Sequence, residues 1–120
     1  MLVTAIEFLV TTFGSTETFY VGIYDSTLAT KITDGSVSVT STGEKQCSVT
    51  VAKLTGATTY YVVLKDDAGG SNLVGYGDSY ANTLICSSKY IGAGALPSNL
   101  TTGGSPTADT KAPYLGVISL

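Results

Sequence analysis

Three side chains whose oxygen atoms could bind a metal ion, Asp66, Asp67 and Asn72, lie within one glycine-rich stretch of this chain. Carboxylate and amide oxygens are the ligands that calcium prefers. Their spacing fits neither the EF-hand loop nor the calcium-binding nonapeptide repeats. Aspartate and asparagine are also common in turns, because their side chains bond to the nearby backbone. We therefore expect a turn here, without a metal site, and keep calcium binding as the alternative.

The residue types that carry acid–base and nucleophilic catalysis are mostly missing. The 120 residues include no histidine, so the chain has no imidazole base or metal ligand. They include no arginine, which removes the bidentate clamp for phosphate or carboxylate groups. Glu7 and Glu17 stand alone, and the remaining aspartates lie beside glycine, serine or threonine: Asp25, Asp34, Asp78 and Asp109. The chain is predicted not to be an enzyme, with no catalytic residue and no cofactor.

The two cysteines, Cys47 and Cys86, have a structural interpretation. Cys47 shares its strand parity with Val49 and Val51, so all three are predicted to face the core. A disulfide between the two cysteines is conceivable, but one pair does not make a secreted framework, and free thiols are favoured. Asn99 to Thr101 matches the glycosylation sequon by pattern only.

Alternating apolar residues predict that strands position these side chains. In "TFYVGIYD", Phe19, Val21 and Ile23 fall on one face, and Tyr20 and Tyr24 on the other. In "SVSVTST" the two valines, Val37 and Val39, are predicted to point inward. Turn signals recur about every ten residues, which is typical of a β-sandwich. Threonine, valine and tyrosine are abundant and charged residues make up only 12% of the chain, so we expect an all-β domain.

Two segments are apolar on both parities. Residues 2–13 are expected to form a strand that is covered on both sides or clamped between partners. The segment "TYYVVLKD", which ends at Asp66, is expected to lie centrally in a sheet.

The stretch "SVTVAKLTGATTYYVVLKDDAGGS" resembles the second half of fibronectin type III and related immunoglobulin-like domains. Leu54, Thr58 and Tyr60 match the leucine, threonine and corner tyrosine of that pattern, whereas Gly56 and Ala57 stand where Pro-Gly is usual. The resemblance implies an immunoglobulin-like antiparallel β-sandwich, in which the tyrosine hydroxyl bonds back to a corner carbonyl. It implies a binding, spacing or structural module, of the kind found in phage decoration proteins, and no chemistry. A transthyretin-like or other viral β-sandwich is the alternative.

The composition changes along the chain. Residues 1–80 are predicted to form the sandwich core, and residues 81–120 an irregular arm rich in glycine, serine, threonine and proline. Within it, residues 92–113 are expected to be a mobile linker. The arm ends in "APYLGVISL", which is expected either to return as the last strand of its own sandwich or to extend a neighbour's sheet.

Partners and location are inferred from charge and hydropathy. The net charge is −3 and the six lysines are scattered, so nucleic acid is not an expected partner. No segment approaches the length of about 20 apolar residues that a membrane span needs. Met1 begins a segment without a basic region, and Glu7 interrupts it before a signal-peptide core is complete. We expect a protein that keeps its initiator methionine and folds where it is made.

These features favour a structural protein of a bacteriophage particle, a capsid decoration (cement) or accessory subunit assembled in the host cytoplasm. Its partners would be other structural subunits, in a homo-oligomer or a lattice. One alternative is a surface fibre or pilus subunit that donates Leu2 to Val10 or Tyr114 to Leu120 as a strand. Another is a glycan-binding adhesion module at a cell surface, with four exposed tyrosines as stacking platforms: Tyr20, Tyr24, Tyr76 and Tyr80.

Overall fold

The structure, a computed structural model, describes residues 1–67, 73–74, 76–79, 87–88, 94–101, 107–108 and 111–120. Every regular element in these ranges is a strand. The strands are β1 (Leu2–Thr12), β2 (Glu17–Asp25), β3 (Lys31–Val39), β4 (Gly43–Lys53), β5 (Tyr60–Asp66), β6 (Leu73–Val74), β7 (Tyr76–Ser79), β8 (Ser87–Ser88), β9 (Thr107–Ala108), β10 (Lys111–Pro113) and β11 (Leu115–Ser119).

Two antiparallel sheets pack against each other, as expected of an all-β sandwich. The first sheet has the order β11-β1-β4, and the short β6 pairs with the far end of β1. The second sheet has the order β3-β2-β5. Two small ribbons, β7 with β10 and β8 with β9, are also formed. The predicted all-β sandwich class is confirmed.

The core lies between β1 and β2. Phe8 of β1 stacks on Phe19 of β2, with ring centroids 5.2 Å apart and planes 9° from parallel. The predicted inward faces of β2 and β3 are confirmed, because Phe19, Val21, Ile23 and Val39 are buried and Val37 packs against them. Each fully buried side chain of this size contributes about 1.5–3 kcal/mol.

A β-bulge explains why β1 is apolar on both parities. Between Val3 and Ala5 the pairing of β1 with both of its neighbours shifts, so Thr4 is not matched regularly. The inward face therefore changes from Val3 to Ile6, and both belong to the core. The expectation that β1 is clamped between partners is confirmed, since β4 and β11 flank it.

The same irregularity corrects one predicted core residue. Val51 was expected to face inward with Cys47 and Val49, but its side chain is 57% exposed. The register runs from Ala5 opposite Ser48 to Val3 opposite Ala52, so β4 also leaves its regular alternation before Val51. Cys47 and Val49 are buried as expected.

The described strands do not place β5 centrally, as the sequence had predicted. Among the described strands, β5 lies at the edge of its sheet and β2 lies in the centre. Its inward residues Val62 and Leu64 pack on the core, and Val63 on the opposite face packs against a second cluster that includes Leu96 and Leu100. Cover on both faces accounts for its apolar sequence.

The C-terminal apolar segment returns to its own sandwich. β11 pairs antiparallel with β1, from Val3 opposite Ser119 to Phe8 opposite Leu115. Of the two alternatives left open by the sequence, the structure has the first.

The connection from β4 to β5 crosses from one sheet to the other. Leu54 is buried in the core and Tyr60 packs against it, as the resemblance implied. The Tyr60 hydroxyl bonds to the backbone, but it accepts from the Thr55 N–H at 3.0 Å, so the expected bond to a carbonyl is corrected. Ala57, at the usual glycine position, has a left-handed φ of 56°. This conformation disfavours a residue with a Cβ.

The other inter-sheet contact of note joins β3 to β4. Thr33 Oγ1 donates to the Thr50 carbonyl oxygen at 2.5 Å. Nearby, a Cβ placed on Gly35 would overlap with the carbonyl oxygen of Ser48, which belongs to the backbone and has little room to move. Glycine at position 35 therefore permits the close approach of these strands.

We predict that Gly35→Ala lowers the free energy of unfolding by about 1–3 kcal/mol, because the added methyl group forces β3 and β4 apart. Urea denaturation followed by circular dichroism measures the change. Gly56→Ala is the matched control, since a Cβ at Gly56 meets nothing within 4 Å. Equal stability of the two variants would contradict the close-approach argument.

A second prediction concerns the corner. Ala57→Gly should raise the free energy of unfolding by about 1 kcal/mol, because glycine adopts the left-handed conformation without a Cβ penalty. The control is Ala29→Gly, at an exposed position without a positive φ. It should be neutral or slightly destabilising in the same denaturation experiment. If Ala29→Gly stabilised the protein as much as Ala57→Gly does, the left-handed φ of Ala57 would not be the cause of the effect.

Candidate functional site

The candidate site lies on the outward face of β2, which is the face that points away from the first sheet. Tyr20, Gly22 and Tyr24 alternate along β2 and so share this face. Val63 of β5 and Leu28, from the turn after β2, belong to the same apolar cluster. The two tyrosines flank a glycine, which leaves a notch between their rings.

This arrangement corrects the exposure expected for the tyrosines. Tyr24 is fully buried and therefore offers no stacking platform, because a segment of the chain lies over it. Tyr20 is half-buried in the same cluster. The side chain of Tyr76 and the whole of Tyr80 lie outside the described residues.

The covering segment, "GALPSNL" at residues 94–100, is called the strap here. Leu96 and Leu100 are both buried, and each packs in the cluster on the outward face of β2. A Cβ on Gly22 would lie only 2.8 Å from Leu96 Cδ1, so the Leu96 side chain fills the space that the glycine leaves. The notch is thus shaped for a leucine.

Hydrogen bonds fix the strap along its length. Each of the three strands of the second sheet supplies one side-chain donor to a carbonyl oxygen of the strap. The bonds run from Tyr24 Oη of β2 to Pro97 O at 2.5 Å, from Lys31 Nζ of β3 to Leu96 O at 3.0 Å, and from Lys65 Nζ of β5 to Gly94 O. Two main-chain bonds add to these, from Lys31 N to Ser98 O at 3.0 Å and from Leu100 N to Leu28 O at 2.8 Å. These bonds hold the backbone in one register across the sheet.

The charged side chains at this face interact with neighbouring groups on the same sheet. Lys31 also pairs with Asp34 at 2.7 Å. Lys65 is only 9% exposed, and its ammonium lies 5.1 Å from the centroid of the Tyr20 ring. This is within the range of a cation–π interaction. Burial, with a smaller contribution from the Asp34 charge, raises the pKa of Tyr24 to about 12.

One member of the candidate calcium group belongs to the strap contacts. Asp67 Oδ1 accepts from the Gly94 N–H at 3.2 Å, so this carboxylate holds the start of the strap. Asp66 ends β5, and Asn72 lies outside the described residues. Where the structure describes the chain, no group of three acidic or cysteine side chains is placed to hold a metal ion.

The other sequence candidates have structural positions. Cys47 is a free, buried thiol whose pKa is raised by burial and by the Asp34 charge, and Cys86 lies outside the described residues. Asn99 Oδ1 accepts from the Thr101 N–H at 2.8 Å and from Thr101 Oγ1 at 2.6 Å, which closes a turn at the end of the strap.

The strap was not foreseen, because its composition predicted a mobile linker over residues 92–113. For residues 94–101 that expectation is wrong, since they are fixed to the second sheet by the contacts above. One signal was available: β2 has apolar residues on both faces, and the face with the tyrosines needs a cover. The arrangement binds the backbone of the strap and two leucines.

We predict that the strap makes stability depend on alkaline pH through Tyr24. A neutral phenol is favoured in the folded protein, whose Tyr24 pKa is about 12 against the usual 10.0, so the unfolded chain releases this proton first. The resulting stability, about 2–3 kcal/mol, is fully present below pH 10 and is lost as the pH rises toward 12. Tyr24→Phe should remove this component while costing about 1 kcal/mol at pH 7, because Pro97 O loses its donor.

Denaturation by urea at pH 7, 10 and 11, followed by circular dichroism, measures the effect. Tyr61→Phe is the control, because Tyr61 is exposed on β5 and should leave the alkaline loss of stability unchanged. A Tyr24→Phe variant that loses as much stability as the parent between pH 10 and 11 would contradict the prediction.

None of the described residues forms a helix long and apolar enough to cross a membrane.

Comparison with known proteins identifies no relative of this chain. Searches against protein-family models, curated proteins and solved structures find no match to this chain.

Proposed function

We propose that this chain is a structural subunit of a larger assembly and that it acts by binding neighbouring subunits, without catalysis. The observation that carries the proposal is the outer edge of β11. Among the described strands none pairs with this edge, and residues 114–120 contain no charged side chain. Val117 is 37% exposed and Leu120 is 87% exposed. Edge strands of monomeric proteins are usually protected by charges, proline or bulges, so this edge is suited to burial against a partner.

The apolar surface continues from β11 onto the start of β1. Leu120 N donates to Leu2 O at 3.0 Å, which places the two residues side by side. Met1 and Leu2 are both exposed. A contiguous apolar patch of this kind marks a contact surface more often than an isolated exposed residue does. Specific interfaces bury about 1,600 Å² in total.

The immunoglobulin-like assignment forms part of the proposal. In immunoglobulin-type sandwiches strand B pairs with strands A and E in one sheet, and strand C pairs with strand F in the other. If β1 is strand B, then β4 corresponds to E, β2 to C, β5 to F, and β3 to the C′ strand of variable-type domains. The C-terminal strand β11 then takes the place of strand A. Tyr60, at the start of β5, would correspond to the corner tyrosine of the family.

Among assemblies, we propose a bacteriophage particle, on which the chain would be a decoration or accessory subunit assembled in the host cytoplasm. Sparse charge, the absence of arginine and the lack of charged residues within β11 itself support a role in protein–protein contact, although the Glu7 side chain of β1 lies over Gly116. Many copies on a lattice would bind with avidity even if each contact were weak. The mechanism is passive: the sandwich bridges subunits, and the apolar edge is buried between them.

The two other candidates are less well supported. A fibre subunit that donates Tyr114 to Leu120 would have to remove β11 from its own β1. A glycan-binding module would lack Tyr24 as a platform, since the strap covers it.

We predict that the chain is present in stoichiometric amounts in purified particles from its source, measured by quantitative mass spectrometry. Purified Val117→Lys protein should bind particles that lack the chain at least tenfold more weakly than the parent, because a charge at the β11 edge opposes burial. Val51→Lys is the matched control, an exposed valine on β4 away from that edge. Absence of the chain from particles would refute the assignment, and equal loss in both variants would refute the role of β11.

A further inference from the structure

We propose that Glu7 makes the open edge of β11 selective: its carboxylate opposes pairing with β11 of a second copy and favours a partner strand that carries a lysine or arginine opposite Gly116. Because the β11 edge is the contact surface of the proposed function, this inference rests on that function and names the chemistry of what the edge binds. The occupant is a strand of another protein, apolar apart from one cationic side chain.

Glu7 lies across β11 because Gly116 has no side chain. The two residues face each other in the pairing of β1 with β11. A Cβ placed on Gly116 would overlap with Glu7 Oε1 and would lie 2.5 Å from Glu7 Cγ and 2.8 Å from Glu7 Cδ. The carboxylate therefore occupies the space that a side chain at position 116 would fill. In this way a charge that belongs to β1 is presented over the strand at the edge of the sheet.

The backbone groups at the open edge come from alternate residues of β11. Leu120 N donates to Leu2 O, and Thr4 donates to the carbonyl oxygen of Ile118, so the even-numbered residues direct their backbone groups toward β1. No described strand pairs with the other side of β11. The residues whose backbone groups point to that open side are the odd-numbered ones: Leu115, Val117 and Ser119.

A second copy is a poor partner for this edge. Antiparallel pairing of two β11 strands overlaps all five of their residues when Val117 faces Val117, and Gly116 then faces Ile118. Strands lie about 4.8 Å apart and rise about 3.4 Å per residue, so the two Gly116 positions are about 8 Å apart on one face of the joined sheet. The two Glu7 carboxylates above them repel each other, because this distance does not exceed the Debye length of about 8 Å at physiological salt.

Glu7 has no compensating charge among the described side chains. It is half-buried, and its neighbours across the sheet, Gln46 on β4 and Gly116 on β11, are uncharged. The one ion pair in the described part of the chain joins Lys31 to Asp34. A strand added to β11 removes further water from the Glu7 carboxylate, which costs free energy unless a cation pairs with it.

The register of an added strand determines where that cation must be. The residue opposite Gly116 directs its side chain to the same face of the sheet as Glu7, since directly opposed residues share a face. It lies about 4.8 Å beyond β11, within reach of the carboxylate for the long side chain of lysine or arginine. Its neighbours along the partner strand lie opposite Leu115 and Val117, so apolar residues are favoured there.

The first test is self-association of variants without the Glu7 charge. Glu7→Gln keeps the size of the side chain and removes the repulsion between copies. Glu44→Gln is the matched control, because Glu44 is an exposed carboxylate on β4, which β1 separates from β11. Analytical ultracentrifugation at low salt should give an association constant at least fivefold larger for Glu7→Gln than for Glu44→Gln or the parent. Equal constants, or no measurable association of Glu7→Gln, overturn the opposition to self-pairing.

Charge reversal tests complementarity at the same edge. Glu7→Lys, uniformly isotope-labelled so that its mass differs, is mixed with the parent and analysed by native mass spectrometry. The heterodimer should be at least fivefold more abundant than either homodimer, because only the heterodimer places a lysine near Glu7. A mixture of the parent with Glu44→Lys should show no such preference. Homodimers as abundant as heterodimers contradict the pairing, and if Glu7→Lys shows no β-sheet signal in circular dichroism, Glu7→Gln and the peptides below decide.

Two capped, fluorescent peptides serve as probes for the partner strand. In both, valine alternates with threonine over seven residues, and the central residue is lysine in one peptide and glutamate in the other. Anisotropy titration should show that the parent binds the lysine peptide at least fivefold more tightly. Glu7→Gln should reduce this preference to less than twofold, and Glu44→Gln should retain it. Equal affinity of the parent for the two peptides, or no binding of either, overturns the selectivity of the edge.

These outcomes are separate from those that test the proposed function. A chain that is absent from particles but prefers the lysine peptide through Glu7 would refute the decoration role and support the selectivity. A chain that decorates particles but binds both peptides equally would leave the decoration role standing and refute the selectivity.

Discussion

Strand β2 is apolar on both faces, and this constraint determines the rest of the architecture. Phe19, Val21 and Ile23 face the first sheet, whereas Tyr20 and Tyr24 face away from it. A sandwich of two sheets covers only one face of each sheet. The second face of β2 therefore requires a third layer, and the strap supplies it. The stacked pair of Phe8 and Phe19 closes one side of β2, and two leucines close the other.

Three charged side chains hold the third layer in place. Lys31 and Lys65 donate to carbonyls of the strap, and Asp67 accepts from its first amide. A strap without secondary structure exposes backbone groups that are costly to bury unless they are bonded. Lysine suits this role because its flexible stem lies along the apolar surface while its ammonium reaches the carbonyl oxygens.

The sequence predicted those parts of the fold that depend on local alternation. The inward faces of β2 and β3 and the corner at Leu54 and Tyr60 followed from period-two patterns and from the resemblance. The bulge at Thr4 was not predictable, because its cause is the register of three strands that meet far apart in sequence. The same irregularity is the reason why Val51 was wrongly predicted to face the core.

The strap escaped prediction for a related reason. Glycine, proline and serine around Leu96 and Leu100 indicate a linker when read locally. Their burial depends on Gly22, more than 70 residues earlier. A glycine has no side chain, so the sequence gives no sign that this position contacts another segment. The tyrosines were visible in the sequence, but an outward-facing tyrosine on a strand looks the same whether it is bare or covered. Only the contact between the two segments distinguishes these cases.

The pairing of β1 with β11 has a consequence for the order in which the sheet can form during synthesis on the ribosome. Thr4 donates to the carbonyl of Ile118, 114 residues further along the chain. At a synthesis rate of 5–20 residues per second, β11 is made about 3 to 12 s after β4. During that interval β11 is not yet available to pair with β1, so the β1 edge that it covers in the folded chain lacks this neighbour. The first sheet is therefore completed only after nearly the whole of the sequence has been synthesised, because its two ends in sequence lie side by side.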